Sequence, residues 1–500
     1  MEISGASFIA GEWLKDADAS VFHAFSPKRH EPIDTQFFEA SQDMLATAIN
    51  EAEKAFKVYR KTSLIERATF LHAIADEIEA LGDQLLEVTH EETNLPFARL
   101  QGERGRTMNQ LRAFAQGLEQ SQNGIVNLSV LDEADPARAP LAKPRTQLDF
   151  IPVGVVAVFG ASNFPYAFST LGGDTASALA AGCPVVMKSH TAHPATSELM
   201  TRAIEKAIEK CDMPKGVFSM IQAKKYDMAH ALVAADPIKA IGFTGSMSVA
   251  SKLIETINSR EEAIPFYGEL GSINPQFVLP EMAEQNGEEL GANLCNSMLM
   301  GNGQFCTSPG LWLVPNSSIA LLESVKKTVA ASSSDTLLSP NILNSFKQAM
   351  IERSDIEGVE LLAVAELSEE FHANAHIFKT DIGTYLNTPS LNEEVFGPAA
   401  MLVTYDTLAQ LESLVDGLEG QLTASIHGTG NDLASASDLS EDLQYKVGRL
   451  IENQMPTGVE VCASMNHGGP FPSSTDVRST SVGLNAIQRF LRPICRQSAV

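Results

Sequence analysis

The spacing of apolar residues predicts an N-terminal helical region followed by an extended connector. Residues 41–93 carry apolar side chains at helical intervals, and Ser63 with Glu66 forms a capping-box pattern that predicts the start of one helix. A second helical pattern surrounds the segment QLRAFAQGLE. Residues 128–148 contain three prolines, which favour an extended connector or arm over a helix.

From residue 151, short apolar runs alternate with helical patterns. The valine-rich run GVVAVFG at 154–160 is typical of a strand buried on both faces. The elements predicted after it are a small-residue helix over 166–181, the strand PVVMKSH, a helix over 194–210, the strand VFSMIQ, a helix over 227–234, the strand KAIGFTGS and a helix from Ser246. This alternation predicts a doubly wound parallel sheet. After residue 281, the strands LWLVP, AAMLVTY and LTASIH predict a second α/β domain.

Small, polar or cationic residues follow three strands of the first predicted sheet, at 160–163, 188–191 and 245–246. Parallel sheets bind ligands beyond the carboxyl ends of their strands, so these residues are candidate ligand contacts. Residues 245–246 open a predicted helix whose free N–H groups can receive a pyrophosphate. The chain has no GxGxxG motif, and an ordinary helix cap is the alternative interpretation of FTGS.

Composition and charge narrow the class of protein. The 500 residues include 62 acidic and 36 basic side chains, a net charge of −26, which disfavours nucleic-acid binding. Six cysteines without disulfide or metal-ligand spacing predict no metal site and a reduced, cytoplasmic setting. No signal peptide is visible at the N-terminus, and the uncharged stretch 150–173 contains too much proline and glycine for a membrane helix.

Two residues are candidates for catalysis. Cys306 lies in the glycine-rich, uncharged loop GNGQFCTSPG, with no histidine within sixty residues on either side. Glu269 lies inside the apolar stretch FYGELGSINPQFVLP, where burial predicts a raised pKa. A structural ion pair is the alternative role for a buried glutamate.

Seven motifs, taken together, resemble the aldehyde dehydrogenase superfamily over nearly the whole chain. They are, in family order, FIAGEW, SNFP at 162–165, Lys188 at a strand end, FTGS at 243–246, GELGS at 268–272, GQFC at 303–306 and EEVFGP at 393–398. In finer detail the chain is similar to the NADP-using branch that oxidises 2,5-dioxopentanoate (α-ketoglutaric semialdehyde) and long-chain aldehydes. The segments that carry this likeness are GELGSINP, GNGQFCTSPG, MPTGVEVC, HGGPFPSSTDVRSTSVG and QRFLRPICRQ.

The resemblance implies a role for each catalytic candidate. Cys306 would add to the aldehyde as a thiolate, and the Asn163 amide with the Cys306 backbone N–H would hold the oxyanion. Hydride transfer would leave a thioester, which Glu269 would hydrolyse by activating water. Relatives that pass the acyl group to coenzyme A lack this base, so the resemblance implies a free acid product. The alternatives are a coenzyme A-acylating enzyme, an esterase using Cys306 and Glu269, and a non-catalytic member of the fold.

The same resemblance implies the cofactor contacts. Lys188 and Glu394 match residues that hold ribose hydroxyls, Phe396 matches one that positions the nicotinamide ribose, and Gly245 with Ser246 would face the pyrophosphate.

Thr191 stands where NAD-preferring relatives usually carry a glutamate, and no charge there repels a 2′-phosphate. Tyr226, preceded by Lys224 and Lys225, lies where NADP-using relatives add an arginine. We therefore expect NADP to be preferred and NAD to be used as well.

A dicarboxylic semialdehyde needs a cation for its distal carboxylate. Arg106 and Arg478 are the candidates, and a structural ion pair or solvation is the alternative for each. The predicted reaction is oxidation of 2,5-dioxopentanoate to 2-oxoglutarate, and broad or long-chain aliphatic aldehyde oxidation is the alternative.

The resemblance also implies the domain plan. Residues 1–137 and 151–265 would form the Rossmann-like dinucleotide-binding domain, and residues 266–465 the α/β catalytic domain. Residues 138–150 and 466–500 would form a β-arm that pairs with another subunit, giving a homodimer or a homotetramer.

Overall fold

A computed structural model describes residues 2–16, 18–121 and 128–498. Its strands are β1 (Ser7–Ile9), β2 (Glu12–Leu14), β3 (Val21–Ser26), β4 (Glu31–Phe38), β5 (Val130–Asp132), β6 (Arg145–Pro152), β7 (Val155–Phe159), β8 (Val185–Lys188), β9 (Phe218–Ile221), β10 (Ile238–Thr244), β11 (Phe266–Glu269), β12 (Gln276–Val278), β13 (Leu311–Pro315), β14 (Asp335–Thr336), β15 (Glu360–Val364), β16 (His372–Ala373), β17 (His376–Asp381), β18 (Ala399–Tyr405), β19 (Gln421–His427), β20 (Val447–Glu452) and β21 (Leu491–Ser498).

The helices are α1 (Gln42–Tyr59), α2 (Leu64–Ala80), α3 (Gly82–Thr93), α4 (Phe97–Glu119), α5 (Gly173–Ala181), α6 (Pro194–Lys210), α7 (Tyr226–Ala234), α8 (Met247–Asn258), α9 (Pro280–Leu299), α10 (Ile319–Ala330), α11 (Pro340–Ser354), α12 (Ile382–Leu386), α13 (Leu408–Gly417), α14 (Gly430–Ser435) and α15 (Ser437–Leu443). Short 3₁₀ helices lie at Lys215–Val217, Met300–Gly303, Pro389–Asn392 and Leu484–Phe490. None of the helices in the described ranges is long and apolar enough to cross a membrane.

The first sheet has seven strands in the order β11-β10-β7-β8-β9-β1-β2. Strands β7 to β11 run parallel, and β1 joins their edge antiparallel to β9. Every residue of β7 is buried, as the valine-rich run predicted. The capping box of Ser63 and Glu66 is present at the start of α2. The predicted parallel α/β arrangement is therefore confirmed.

One predicted boundary was wrong. The helix expected over 166–181 begins only at Gly173. The chain turns tightly before it, and a Cβ at Gly172 would collide with the Ala167 backbone, so this position has to be glycine. The predicted end is correct, because Gly182 adopts the left-handed conformation that terminates the helix.

The second sheet also has seven strands, in the order β15-β17-β18-β13-β12-β19-β20. It is parallel apart from the pairing of β15 with β17. This arrangement confirms the predicted second α/β region. The strand β11, which opens the predicted 266–465 domain, belongs to the first sheet, so the chain passes between the two sheets just after Glu269.

A third, antiparallel sheet has the order β21-β6-β5 and contains much of the predicted arm. The predicted segment 466–500 is described as far as residue 498, and within that described part only residues 491–498 are in this sheet. The preceding 3₁₀ helix is held to α5 by a 2.7 Å ion pair between Arg489 and Asp174, both largely buried. Ser474 forms a β-bridge to Glu269 of the first sheet, while the Asn466 side-chain amide donates to the carbonyl of Gly448 on β20 at 2.9 Å. This segment therefore contacts both large sheets.

Candidate active site

Cys306 lies in a loop between the 3₁₀ helix at 300–303 and β13. Gly303 has φ of 72°, and a Cβ there would collide with the Gly397 backbone, so glycine lets two loops approach closely. The Asn274 side-chain amide donates to the carbonyls of Cys306, at 2.8 Å, and Ser308, at 2.9 Å. The loop backbone is therefore held in place, and Cys306 as a whole residue is half-buried.

Glu269 ends β11 and is buried, with 5% of its surface exposed. The Ser481 hydroxyl donates to Oε2 of its carboxylate. Oε1 lies 2.8 Å from Nε2 of His467 but accepts no hydrogen bond from a described residue. One carboxylate oxygen thus accepts from Ser481, while the other has the imidazole nitrogen of His467 as a close polar neighbour.

His467 lies beside Cys306 and was missed by the sequence analysis. Its Nε2 lies 3.7 Å from the Cys306 sulfur, although 161 residues separate the two in the chain. Its backbone N–H donates to Thr480 and its carbonyl accepts from Ser481, each at 2.8 Å, which holds the buried residue in place. The only signal in the sequence was its position in the HGGPFPSS segment. The close contacts of His467 with Cys306 and Glu269 are both made by Nε2. The three residues therefore do not form a catalytic triad, in which each ring nitrogen of the histidine has its own partner.

The electrostatics correct one expectation from the sequence and add a feature of Cys306 that the sequence did not show. Burial tends to raise the pKa of Glu269, but His467, Ser481 and Cys306 together lower that pKa below its ordinary value. The expected rise was therefore wrong, and Glu269 is a carboxylate at neutral pH. Burial raises the pKa of Cys306 well above its usual range, and the charges of Glu269 and Glu394 add to the rise. The loop is uncharged in sequence, but the thiol has two acidic neighbours in space.

Asn163 lies beside the Cys306 loop. Its side-chain Nδ2 donates to the Gln304 carbonyl at 3.0 Å, and its backbone carbonyl accepts from Arg99 at 2.6 Å. The residue is buried, with 8% of its surface exposed. One N–H of the amide is used in holding the loop, and the second is available to a ligand.

The predicted cofactor residues of the first sheet lie beyond its carboxyl edge. Lys188 ends β8, and its Nζ donates to the Ser189 carbonyl at 3.1 Å. Burial lowers the pKa of Lys188 to about 8, and Glu39 opposes this shift. Thr191, which follows Lys188 by three residues, is half-buried. Gly245 and Ser246 are exposed at the start of α8, and the Ser246 hydroxyl makes no capping bond within the described residues.

Glu394 lies in the loop before β18, and its carboxylate is beside Gly271, just beyond the end of β11. A Cβ at Gly271 would collide with its carboxylate, so glycine at this position makes room for it. Although solvent reaches the residue, burial of the carboxylate raises its pKa to about 8, and a hydrogen bond from the Ser272 amide opposes the rise. Phe396 is half-buried two residues further on. An uncapped helix start with a nearby cation and carboxylate fits a dinucleotide.

In the sequence analysis, cofactor choice was connected with three residues at the start of α7, namely Lys224, Lys225 and Tyr226. Tyr226 has 69% of its surface exposed, and the Lys224 backbone N–H donates to Glu39 at 3.0 Å. Lys225 is the residue that precedes the helix.

The two predicted substrate arginines have different surroundings. Arg106 on α4 is half-buried, with its guanidinium 5.1 Å from the Phe168 ring centre. Burial lowers the pKa of Arg106, and acidic neighbours that include Cys306 oppose the shift. The Arg478 side chain is 88% exposed and lies 3.6 Å from Asp476. The structure thus brings Arg106, but not Arg478, to the cysteine.

A second arginine, Arg449 on β20, was missed by the sequence analysis. Its guanidinium donates to the carbonyls of Pro456, at 2.7 Å, and Gly458, at 3.0 Å, while its buried Nε has no partner among the described residues. Burial lowers its pKa, and Cys306 opposes the shift. Its position on a strand without a recognisable motif explains why it could not be found from sequence.

A parallel sheet of the dinucleotide-binding kind, facing a loop cysteine and a buried carboxylate, is the arrangement of a nicotinamide-dependent aldehyde oxidoreductase. The chain belongs to the aldehyde dehydrogenase family, whose pattern matches residues 13–492. The prediction of an NAD(P)-dependent aldehyde dehydrogenase is therefore confirmed at the level of the family.

Two similar curated proteins are α-ketoglutaric semialdehyde dehydrogenases. Alpha-ketoglutaric semialdehyde dehydrogenase 2 of Azospirillum brasilense is 42% identical over 501 residues, covering 99% of this chain and 95% of that protein. The Acinetobacter baylyi enzyme is 41% identical over 505 residues, covering 99% and 94%.

Solved structures with about 20% identity show the same fold. The NADP-dependent glyceraldehyde-3-phosphate dehydrogenase of Bacillus halodurans, solved with NADP, matches with a TM-score of 0.84 at 20% identity over the full length of both chains. Aldehyde dehydrogenase C of Pseudomonas syringae, solved with NAD⁺ and octanal, matches with a TM-score of 0.81 at 19% identity, covering 98% and 96%.

Proposed function

We propose that this enzyme oxidises 2,5-dioxopentanoate to 2-oxoglutarate, with NADP preferred and NAD also used. The observation that carries the substrate proposal is the pair of half-buried arginines, Arg106 and Arg449, whose charges act on Cys306. Two cations whose charges reach the reacting sulfur suit an aldehyde whose other end is a carboxylate. The names of the Azospirillum and Acinetobacter relatives support the same substrate.

The first step is addition of the Cys306 sulfur to the aldehyde carbon. Because the thiol pKa is raised, a base has to take its proton, and His467, with Nε2 3.7 Å from the sulfur, is positioned to do so. The carbonyl oxygen becomes an oxyanion, which the free N–H of Asn163 and the Cys306 backbone N–H stabilise. Bound NADP supplies the acceptor for the hydride that leaves this carbon.

Hydrolysis of the resulting thioester needs a base for water. Glu269 is ionised, and its Oε1 is free of hydrogen bonds from described residues. It takes a proton from water, the water oxygen attacks the thioester carbon, and the carbon–sulfur bond breaks to return the thiolate. One aldehyde, one water and one oxidised cofactor thus give one acid, one reduced cofactor and one proton.

Lys188 and Glu394 would hold ribose hydroxyls, Gly245 and Ser246 the pyrophosphate, and Phe396 the nicotinamide ribose. The preference for NADP rests on Thr191, which presents no charge to a 2′-phosphate, with Tyr226 near the same edge of the sheet. A carboxylate in place of Thr191 should repel that phosphate. Thr191→Glu is therefore expected to lower kcat/KM for NADP at least about tenfold relative to NAD, as one charged hydrogen bond is worth about 1.5–3 kcal/mol.

A substrate panel with both cofactors tests the proposal. Pentanal has the chain length of 2,5-dioxopentanoate but no carboxylate. Arg106→Met and Arg449→Met should each raise KM for the semialdehyde about tenfold or more and leave KM for pentanal nearly unchanged. Arg478→Met is the comparison variant, because that side chain is exposed. Equal effects on both aldehydes, or a higher kcat/KM for long-chain aldehydes, would contradict the substrate proposal and favour the aliphatic alternative.

We further propose that the enzyme works as a homodimer or homotetramer in the cytoplasm. The three-stranded antiparallel sheet, with its edge strands β5 and β21, supports pairing with another subunit. The free state of all six cysteines supports a reducing compartment. Light scattering of the purified protein measures its oligomeric state, and a stable monomer would refute the proposed dimer or tetramer.

A further inference from the structure

We propose that Glu269, Cys306 and His467 form a zinc site that holds the resting enzyme in an inhibited state. The three residues come from β11, from the loop before β13 and from the segment that follows β20. Their ligand atoms, a carboxylate oxygen, a thiol sulfur and an imidazole nitrogen, lie within 4.8 Å of one another. The spacing of these residues along the chain predicted no metal site, because the ligands are far apart in sequence.

The distances suit zinc. The Nε2 of His467 lies 3.7 Å from the Cys306 sulfur and 2.8 Å from Oε1 of Glu269. Zinc bonds of about 2.3 Å to sulfur and about 2.0–2.2 Å to nitrogen and oxygen, at tetrahedral angles, separate nitrogen from sulfur by about 3.6 Å and nitrogen from oxygen by about 3.4 Å. The sulfur and nitrogen are thus already at the required separation, and the separation of nitrogen and oxygen has to widen by about 0.6 Å.

The surroundings leave the ligand atoms free while holding the side chains. Oε1 of Glu269 is buried and accepts no hydrogen bond from a described residue, whereas Oε2 accepts from Ser481. The His467 ring packs near Phe168, with ring centres 6.0 Å apart, and its backbone is hydrogen-bonded on both sides. Outer contacts of this kind orient ligands toward a metal.

Charge and ligand softness favour zinc over hard cations. The ion displaces the thiol proton to solvent, and the thiolate with the Glu269 carboxylate cancels its two positive charges. The imidazole binds through the Nε2 lone pair and keeps its proton on Nδ1. Sulfur and imidazole ligands suit zinc, while magnesium and calcium require oxygen ligands. A fourth position remains for water, as in zinc sites with three protein ligands.

Inhibition follows if the proposed function is correct, because the same sulfur, nitrogen and carboxylate would then serve aldehyde oxidation. Binding of the ion does not depend on that function. Zinc should therefore inhibit reversibly and in competition with the aldehyde, and a chelator should restore activity. Failure of the proposed function would appear as absent aldehyde oxidation in the metal-free enzyme, whereas failure of the zinc proposal appears in direct binding.

Calorimetry of the chelator-treated full-length enzyme with zinc chloride tests binding, and cobalt chloride provides an optical probe of the sulfur ligand. We expect one zinc per chain and a cobalt–thiolate charge-transfer band. Cys306→Ser and His467→Gln should each weaken zinc binding at least about 100-fold, since even outer-shell substitutions cost 10–100-fold. Cys211→Ser, which alters a half-buried cysteine at the end of α6, should leave affinity unchanged.

Circular dichroism establishes that each variant is folded. Zinc affinity that is unchanged in both Cys306→Ser and His467→Gln would overturn the proposal, because the ion would then bind elsewhere. Fewer than one ion per chain at saturation, or equal binding of magnesium, would overturn it as well.

Discussion

Replacing Glu269 with glutamine should separate the two halves of the reaction. The substitution preserves the size of the side chain and removes its ability to accept a proton from water. Formation of the thioester should be retained, because the negative charge of Glu269 raises the pKa of the Cys306 thiol and its removal makes that thiol easier to ionise. Hydrolysis should become rate-limiting, so the acyl-enzyme should accumulate.

The structure indicates the size of the effect. General base catalysis contributes about 10²–10⁴-fold. The Nε2 of His467 lies 2.8 Å from Oε1 of Glu269, so a second base remains beside the position of the missing one. We therefore expect a loss near the lower limit, about 100-fold in steady-state kcat. The double variant Glu269→Gln, His467→Gln should lose more.

Rapid mixing of Glu269→Gln with aldehyde and NADP should show a burst of one reduced cofactor per active site, followed by slow turnover. Intact-protein mass spectrometry should find the acyl group on Cys306. Ser481→Ala is the matched control, because it keeps the carboxylate and removes only its hydrogen bond, and it should show a smaller loss without a full burst. A variant that turns over slowly without a burst would refute the assignment of Glu269 to hydrolysis.

Three further predictions concern ionisation and stability. Because burial and two acidic neighbours raise the pKa of Cys306, the rate of its alkylation by iodoacetamide should still be increasing with pH above the ordinary cysteine pKa of about 8.5. Peptide mass spectrometry measures this rate, and a plateau below that pH would contradict the prediction. Lys188 should lose its charge as the pH rises through about 8, so KM for NADP should increase there, and Lys188→Met should abolish that dependence. Arg489→Met leaves the Asp174 carboxylate buried without its partner and should cost about 3–5 kcal/mol in chemical denaturation. Arg496→Met removes a pair with the same 2.7 Å distance to Asp149, but its arginine side chain is 65% exposed, so the loss should be about 0–1 kcal/mol. Equal losses in the two variants would refute the reasoning.

Local sequence patterns predicted four strands of the first sheet, β7 to β10, and three strands of the second, β13, β18 and β19. The capping box at Ser63, the strand β7 and the end of α5 at Gly182 each depend on residues close together in the chain. The start of α5 was predicted seven residues too early, because the turns before it depend on a close approach of Gly172 to the Ala167 backbone. Periodicity cannot report such an approach, since small apolar residues suit a helix and a tight turn alike.

The sequence by itself determined the parallel α/β architecture, the aldehyde dehydrogenase resemblance and the identity of the nucleophile candidate, because these depend on residue type and local order. Only the tertiary structure decided what surrounds that nucleophile. His467 approaches Cys306 across 161 residues, Arg449 approaches it from β20, and the carboxylates of Glu269 and Glu394 change the ionisation of its thiol. The expected rise in the Glu269 pKa was wrong for the same reason. Burial can be inferred from an apolar strand, but the polar groups beside a buried carboxylate come from distant segments that folding brings together.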